Sequence, residues 1–209
     1  MERGGVDPTR AAHARAAALL ERHGVLTREA VRGEGLPGGF AAVYPVLRAM
    51  EEAGRIRRGY FIAGLGGAQF ALPGAVDRLR AAREPGIDGS ERGTIVLAAT
   101  DPANPYGITV PWPDTPDDVS ARPMRAAGAY VAMRDGQPVL WIERRGRGLA
   151  PLRAFDGEWE QDAVAAVAAM VGPGRPFKRL VVERVPDGLE TVLRNAGFTP
   201  TPKGWTLYG

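Results

Sequence analysis

Three groups of residues in this 209-residue chain could do chemistry. The first is basic: Arg48, then Arg55, Arg57 and Arg58 a little further on. Guanidinium forks bind phosphate and carboxylate oxygens in pairs, so a row of them on an extended segment suits a polyanion. The second group is Arg144, Arg145 and Arg147, interleaved with Gly146 and Gly148. Glycine beside arginine lets a backbone approach an anion closely, although a hairpin end kept soluble by charge has the same composition. The third group, Asp101, Asn104, Tyr106 and Trp112, gathers a carboxylate, an amide and two aromatic rings. A carboxylate can activate water, an amide can pair with a planar polar edge, and an aromatic ring can stack on one. The plainer account is that Asp101 and Asn104 cap tight turns before Pro102 and Pro105 while the rings fill a core.

Several chemistries are excluded outright. The chain has no cysteine, so disulfides, thiolate metal sites and cysteine nucleophiles do not arise. His13 and His23 lie too far apart to share one helical face as metal ligands, and no Ser/His/Asp triad is evident. Gly64-Leu65-Gly66-Gly67 falls inside a hairpin, the wrong context for a dinucleotide loop. No metal or cofactor is expected. The 27 basic and 24 acidic residues give a formal charge of +3, and the small excess lies before Ser90. That balance permits modest nucleic-acid affinity without demanding it. No run approaches 18 apolar residues, so a cytoplasmic protein with no membrane partner is expected.

The elements that position these groups can be read in order. Thr9 is placed to cap a helix ending at Gly24, with Ala12, Ala16, Leu19 and Leu20 as its packing stripe. Thr27 starts a second, short helix that stops in the Gly33–Gly39 region. Phe40, Val43, Val46, Leu47 and Met50 form one face of a third helix, closed by Gly54. Two strand-like runs follow, Ile56–Ile62 and Ala68–Leu72. Helix, short helix, helix and hairpin is the order of a winged helix-turn-helix, with the arginines on the wing. Arg48 is accompanied on its helix by Glu51 and Glu52, a poor set for reading base edges, so phosphate-directed contact is favoured. The boundary falls in the polar stretch 87–92, giving domains 1–90 and 91–209. In the second domain a buried strand at residues 94–100 precedes a hairpin, Ala127–Arg134 and Gln137–Arg144, turned by Asp135-Gly136. A strand at 149–155, a helix over Glu158–Val171, a strand at 178–185, a helix capped by Asp187 and a last strand at 205–209 complete the pattern. The fold class is α+β: a winged helix, then a mainly antiparallel domain whose sheet curls into a barrel-like shape, unless its last strands add a parallel pair.

Several segments resemble one family: Val25–Val31, then Glu34–Arg80 (EGLPGGFAAVYPVLRAMEEAGRIRRGYFIAGLGGAQFALPGAVDRLR), and Val96–Gly107 (VLAATDPANPYG). They are similar to the C-terminal end of bacterial large helicase-related (Lhr) proteins, ATP-dependent superfamily 2 DNA helicases linked to DNA repair. The resemblance implies a last winged helix followed by a β-barrel-like module. It also implies DNA as a partner, single-stranded or tailed, with helicase motor domains elsewhere in the full-length protein and a nucleoid association. No G-x-x-x-x-G-K-[ST] loop occurs in this chain, so the motor's phosphate cradle is absent and the chain alone cannot unwind DNA. It reads as a fragment or free-standing relative of the last two modules.

The same resemblance extends to winged-helix DNA glycosylases, which carry a Gln-x-Gln or Gln-x-Asp pair. Gln69-Phe70-Ala71 lacks the second polar group, and Gln69 reads as a wing-strand residue. If a glycosidic bond is cut, Asp101 would supply the carboxylate, Asn104 would read the base edge, and Tyr106 or Trp112 would stack on it. Three functions stay open: a DNA-holding helicase appendage, which asks least of the residues; a uracil-type DNA glycosylase; and an oligomerisation module whose winged helix packs against sister copies.

Overall fold

The computed structural model describes residues 7–82, 93–116 and 122–209. They fall into two units, one within residues 1–87 with 108–111, the other within 88–107 with 112–209. The stretch 87–92, where a boundary was expected, lies outside the described residues.

The first unit is built on three helices. α1 (Pro8–His23) begins at Asp7, whose carboxylate accepts the Thr9 N–H at 3.0 Å. Asp7 therefore caps the helix, and Thr9, expected in that role, lies inside it. An acidic cap followed by Pro at the first helical position satisfies the helix start and suits its dipole. After β1 (Val25–Leu26), Thr27 caps α2 (Arg28–Gly33) as expected, its hydroxyl accepting the Ala30 N–H at 3.1 Å. α3 (Gly39–Glu52) buries Val43, Leu47 and Met50, while Phe40 and Val46 are only half-buried. β2 (Arg57–Gly59) and β3 (Gln69–Ala71) form the wing, and α4 (Ala75–Ala81) follows. The sheet order is β1-β3-β2, antiparallel throughout. Phe70, Leu20, Leu26, Leu47 and Ile56 are fully buried in the core it shares with the helices.

The wing strands are shorter than their sequence pattern, and one side chain explains it. Gln69 is completely buried. Its Oε1 accepts the N–H groups of Phe61 and Ile62, each at 2.9 Å. Its Nε2 donates to the carbonyls of Ile62, Gly66 and Leu65 at 2.9, 3.2 and 3.4 Å. Backbone groups that a longer ladder would have paired are bonded instead to one amide.

The second unit is α+β, as expected. β4 (Ile95–Ala98), β5 (Tyr130–Arg134), β6 (Gln137–Ile142) and β7 (Leu149–Pro151) form an antiparallel meander. Asp135 and Gly136 turn the β5–β6 hairpin with φ of 52° and 76°, both positive as a type I′ turn requires. Strand alternation gives the meander two apolar faces. Ala132, Leu140 and Ile142 join Trp159 in one core, and Val131, Met133 and Trp141 join Ala150 in another. α5 (Trp159–Ala168) belongs to the first of these cores. A second sheet, β8 (Arg179–Val182), β10 (Gly204–Tyr208) and β9 (Thr199–Thr201), is antiparallel in the order β8-β10-β9. The mainly antiparallel expectation holds, and the alternative of a parallel pair is not formed among these named strands. Nor do the strands close into a barrel: the described residues make two open sheets joined at one isolated parallel bridge, Gly148 to Arg184. α6 (Glu190–Asn195) starts after Leu189, so Asp187 stands outside the cap position expected for it.

Gln69→Leu should destabilise the first unit by about 3 kcal/mol, because two buried N–H groups lose their acceptor. Urea denaturation checks this. A change under about 1 kcal/mol would show that the wing holds without the amide.

Candidate functional site

Two of the expected basic residues, Arg57 and Arg58, lie on β2, while Arg55, expected on the same strand, precedes it in the turn that leaves α3, its N–H donating to the Met50 carbonyl. Arg55, Arg57 and Arg58 are all exposed, with Arg57 opposite Ala71 and Arg58 opposite Phe70 across the β2–β3 ladder. Neighbouring strand residues point to opposite faces, so Arg57 and Arg58 serve different surfaces. Arg58 turns toward α3, its Nε lying 3.3 Å from the Glu51 carboxylate and its Nη1 donating to the Tyr44 hydroxyl at 3.4 Å. Arg48 is likewise paired with Glu52 at 3.0 Å. Both cations on the α3 side are thus neutralised by carboxylates of the same helix. Arg55 and Arg57 make no ion pair among the described residues. Tyr60, just past β2 and left unremarked by the alternating pattern, is 81 % exposed. A large ring standing in solvent is a platform on which a planar group can stack.

The Asp101 segment is a tightly bonded turn. Asp101 Oδ1 accepts the Ala103 N–H at 2.8 Å. Asn104 is 1 % exposed: its Nδ2 donates to the Ala99 carbonyl at 2.9 Å and its Oδ1 accepts the Tyr106 N–H at 3.0 Å. The Arg125 guanidinium ties the turn together, donating to the carbonyls of Asn104, Asp101 and Tyr106 at 2.6, 3.1 and 3.3 Å. Burial pulls the Arg125 guanidinium below its ordinary value, with the Asp101 charge opposing the shift. The Tyr106 and Trp112 rings stack at 5.8 Å between centroids, the Tyr106 hydroxyl donates to the Gly136 carbonyl at 3.3 Å, and burial pushes the phenol up. The four expected residues therefore do come together. Within the turn, however, Asn104 spends its amide on backbone, and one face of each ring is covered by the other. Arg125, which holds the turn, gave no signal in the sequence.

The third group lies on the turn between β6 and β7. Arg144, Arg145 and Arg147 are exposed there and border a cavity of about 450 Å³ together with Arg184 and Trp141. Arg184 pairs with Glu143, and Arg147 lies 3.7 Å from Glu183. Arg144 donates to the Ala127 carbonyl at 3.2 Å. The two glycines are packed rather than loose. A Cβ on Gly146 would strike the Leu180 side chain, and one on Gly148 would lie 2.9 Å from the Glu143 carboxyl carbon. Arg184 escaped sequence reasoning because it ends what reads as an ordinary strand. Among the described residues no cluster of three or more metal-ligating side chains is present, and no helix is long and apolar enough to cross a membrane.

A helical trio closed by a short antiparallel wing defines the first unit as a winged helix-turn-helix. Residues 5–91 match the family described as "Large helicase-related protein, winged-helix domain". The chain is 45 % identical over 216 residues to a Mycolicibacterium smegmatis protein named "Lhr helicase/ probable uracil glycosylase", an alignment covering 96 % of this chain and 14 % of that protein. It is 34 % identical over 192 residues to "Lhr helicase/uracil glycosylase" of Escherichia coli, covering 89 % of this chain and 12 % of the relative. The chain belongs to the large helicase-related family and corresponds to the C-terminal part of its helicases.

Arg125→Met keeps the aliphatic stem and removes the guanidinium. Amide hydrogen exchange at Ala103, Asn104 and Tyr106 should then quicken by about tenfold or more, since each lost bond is worth about 1 kcal/mol. Unchanged protection would show that the side chain of Asn104 is enough to hold the turn.

Proposed function

We infer that this chain is a DNA-holding module of a large helicase-related helicase. It grips the sugar-phosphate backbone of a strand that motor domains elsewhere in the full-length protein translocate, in the service of DNA repair. The observation that carries the reading is the wing, where Tyr60 is solvent-exposed and Arg57, like Arg55 just before β2, has no carboxylate partner among the described residues. Cations that meet phosphate and a ring that stacks on any base make a sequence-tolerant grip on a single strand. The α3 surface supports the same preference. With Arg48 and Arg58 engaged by Glu52 and Glu51, little positive charge remains on that helix for reading a duplex groove. The relatives' names, which call both proteins helicases, agree. The chain's contribution on this reading is affinity, with Arg144, Arg145 and Arg147 as a second set of contacts.

Fluorescence anisotropy with a labelled single-stranded oligonucleotide tests it. Tyr60→Ala should weaken binding by about tenfold at fixed salt. Arg57→Ala should weaken it across all sequences and lower the salt slope by about one. Binding indifferent to both changes would remove the wing from the interface.

A second reading, a uracil-type DNA glycosylase, is favoured by the two relatives' names and by the gathering of Asp101, Tyr106 and Trp112 in one turn. Among the described residues only one Asp101 oxygen is occupied, by the Ala103 N–H, which leaves the other as an acceptor for a water. On this reading the chain releases uracil from a single strand, and Asp101→Asn abolishes the alkali-labile abasic product. Full activity in Asp101→Asn would move the chemistry to another carboxylate. No abasic product from the native chain would leave binding alone.

A further inference from the structure

The turn between β6 and β7 borders a cavity rich in arginine. Its volume of about 450 Å³ falls in the range that small ligands fill. Four guanidiniums, those of Arg144, Arg145, Arg147 and Arg184, border it. Two of them are compensated, Arg184 by Glu143 and Arg147 by Glu183. Arg144 spends one N–H on a carbonyl, and the Arg145 side chain has no hydrogen-bond or ion-pair partner among the described residues. Two net positive charges thus remain, enough to complement one phosphate carrying one to two negative charges.

The backbone holds this arrangement in an unfavourable conformation. Arg145 has φ of 62°, a left-handed geometry that glycine and asparagine accept more readily than arginine. It stays there because its N–H donates to the Gly128 carbonyl at 3.0 Å and the next N–H, of Gly146, donates to Glu143 at 2.8 Å. The surroundings over-determine a strained residue, a situation that clusters at ligand sites. Apart from Glu143, which pairs with Arg184, the remaining wall carries no charge. Met124 is 57 % exposed there, and Trp141 is 6 % exposed, its indole N–H buried and without a partner among the described residues. Cations on one side and apolar groups on the other match the two halves of a nucleotide.

We propose that this cavity binds one unstacked nucleotide, its phosphate on Arg144 and Arg145 and its base or sugar against Met124 and Trp141. The proposal rests on the DNA-holding reading and narrows it. A duplex keeps its bases stacked and offers only phosphates here, whereas a single strand or strand end can place a whole nucleotide in the cavity. A free mononucleotide carries the same phosphate and base and would enter the same space.

The test measures two ligands on three forms of the full chain: native, Arg145→Asn and Arg57→Ala. Asn accepts the left-handed geometry of residue 145, so this change removes the guanidinium with little cost to the fold, and thermal melting confirms that it folds. Thymidine monophosphate and inorganic phosphate are titrated calorimetrically, and a labelled oligo-dT strand by anisotropy. The expected result is nucleotide binding to the native and Arg57→Ala forms, weakened about tenfold by Arg145→Asn, with oligo-dT binding weakened by both changes. Nucleotide binding unaffected by Arg145→Asn overturns the proposal, as does inorganic phosphate binding as tightly as the nucleotide. Oligo-dT binding that depends on Arg57 alone, with no nucleotide bound by any form, removes the cavity and leaves the wing reading standing. Nucleotide binding without any oligo-dT binding upholds the pocket, makes a free nucleotide its source, and overturns the DNA-holding reading.

Discussion

The geometry of the first unit depends on the buried amide of Gln69. A wing is a hairpin, and two three-residue strands are too short to hold a loop of this length by ladder bonds alone. Gln69 supplies what the ladder does not. It accepts the consecutive N–H groups of Phe61 and Ile62, and it donates to the Ile62 carbonyl and, further along the loop, to that of Gly66. Its neighbour Phe70 is fully buried against Phe40 and Tyr44, so the amide is delivered from a rigid strand. The segment that follows Tyr60 is thereby fixed, and preorganised contacts lose less entropy on binding than mobile ones. Gln69 thus has a complete account inside the wing, with no catalytic partner required at Ala71.

The turn between β6 and β7 plays the corresponding part in the second unit. It is where the two sheets meet. Glu183 and Arg184 donate their N–H groups to the Arg147 carbonyl at 2.8 and 3.0 Å, and Leu149 donates to the Arg184 carbonyl at 3.0 Å. Gly146 and Gly148 are needed because Leu180 and Glu143 fill the space a side chain would occupy. The same bonds that join the sheets gather arginines from distant parts of the chain. Like charges held this closely repel, and the Glu143 and Glu183 carboxylates offset only part of that repulsion.

Much of this was legible in the sequence, and the remainder was not for identifiable reasons. The winged-helix order could be read because each helix has a local signal: a capping residue, an apolar stripe and a glycine stop. The Asp135-Gly136 hairpin was legible because a type I′ turn demands positive φ at both positions. The wing's strand ends were overestimated because a side chain, invisible to alternation, took the backbone bonds. The barrel-like expectation failed because antiparallel sheets have the same local pattern whether they close or stay open. Closure depends on pairing between their edge strands, and among the described residues the Gly148–Arg184 bridge is the one β-bridge that joins the two sheets. Arg125, Arg184 and Trp141 escaped for the same reason: their roles come from contacts between segments far apart in the chain.

Charge placement decides what kind of grip the proposed function implies. The pairs Arg48–Glu52 and Arg58–Glu51 cover α3, the helix that in a groove-reading winged helix would face base edges. Exposed ion pairs contribute little to stability, about 0 to 1 kcal/mol each, so their energetic role in the fold is small. Their effect on binding is larger, because each carboxylate beside an arginine repels an approaching phosphate and competes for the guanidinium. A helix so furnished disfavours a duplex groove, while the cations left free stand on the wing and around the cavity. Phosphate-directed contacts of that kind are indifferent to sequence. A module that must hold whatever strand is passing needs that indifference, and a helix tuned to read bases would stall at its preferred sites.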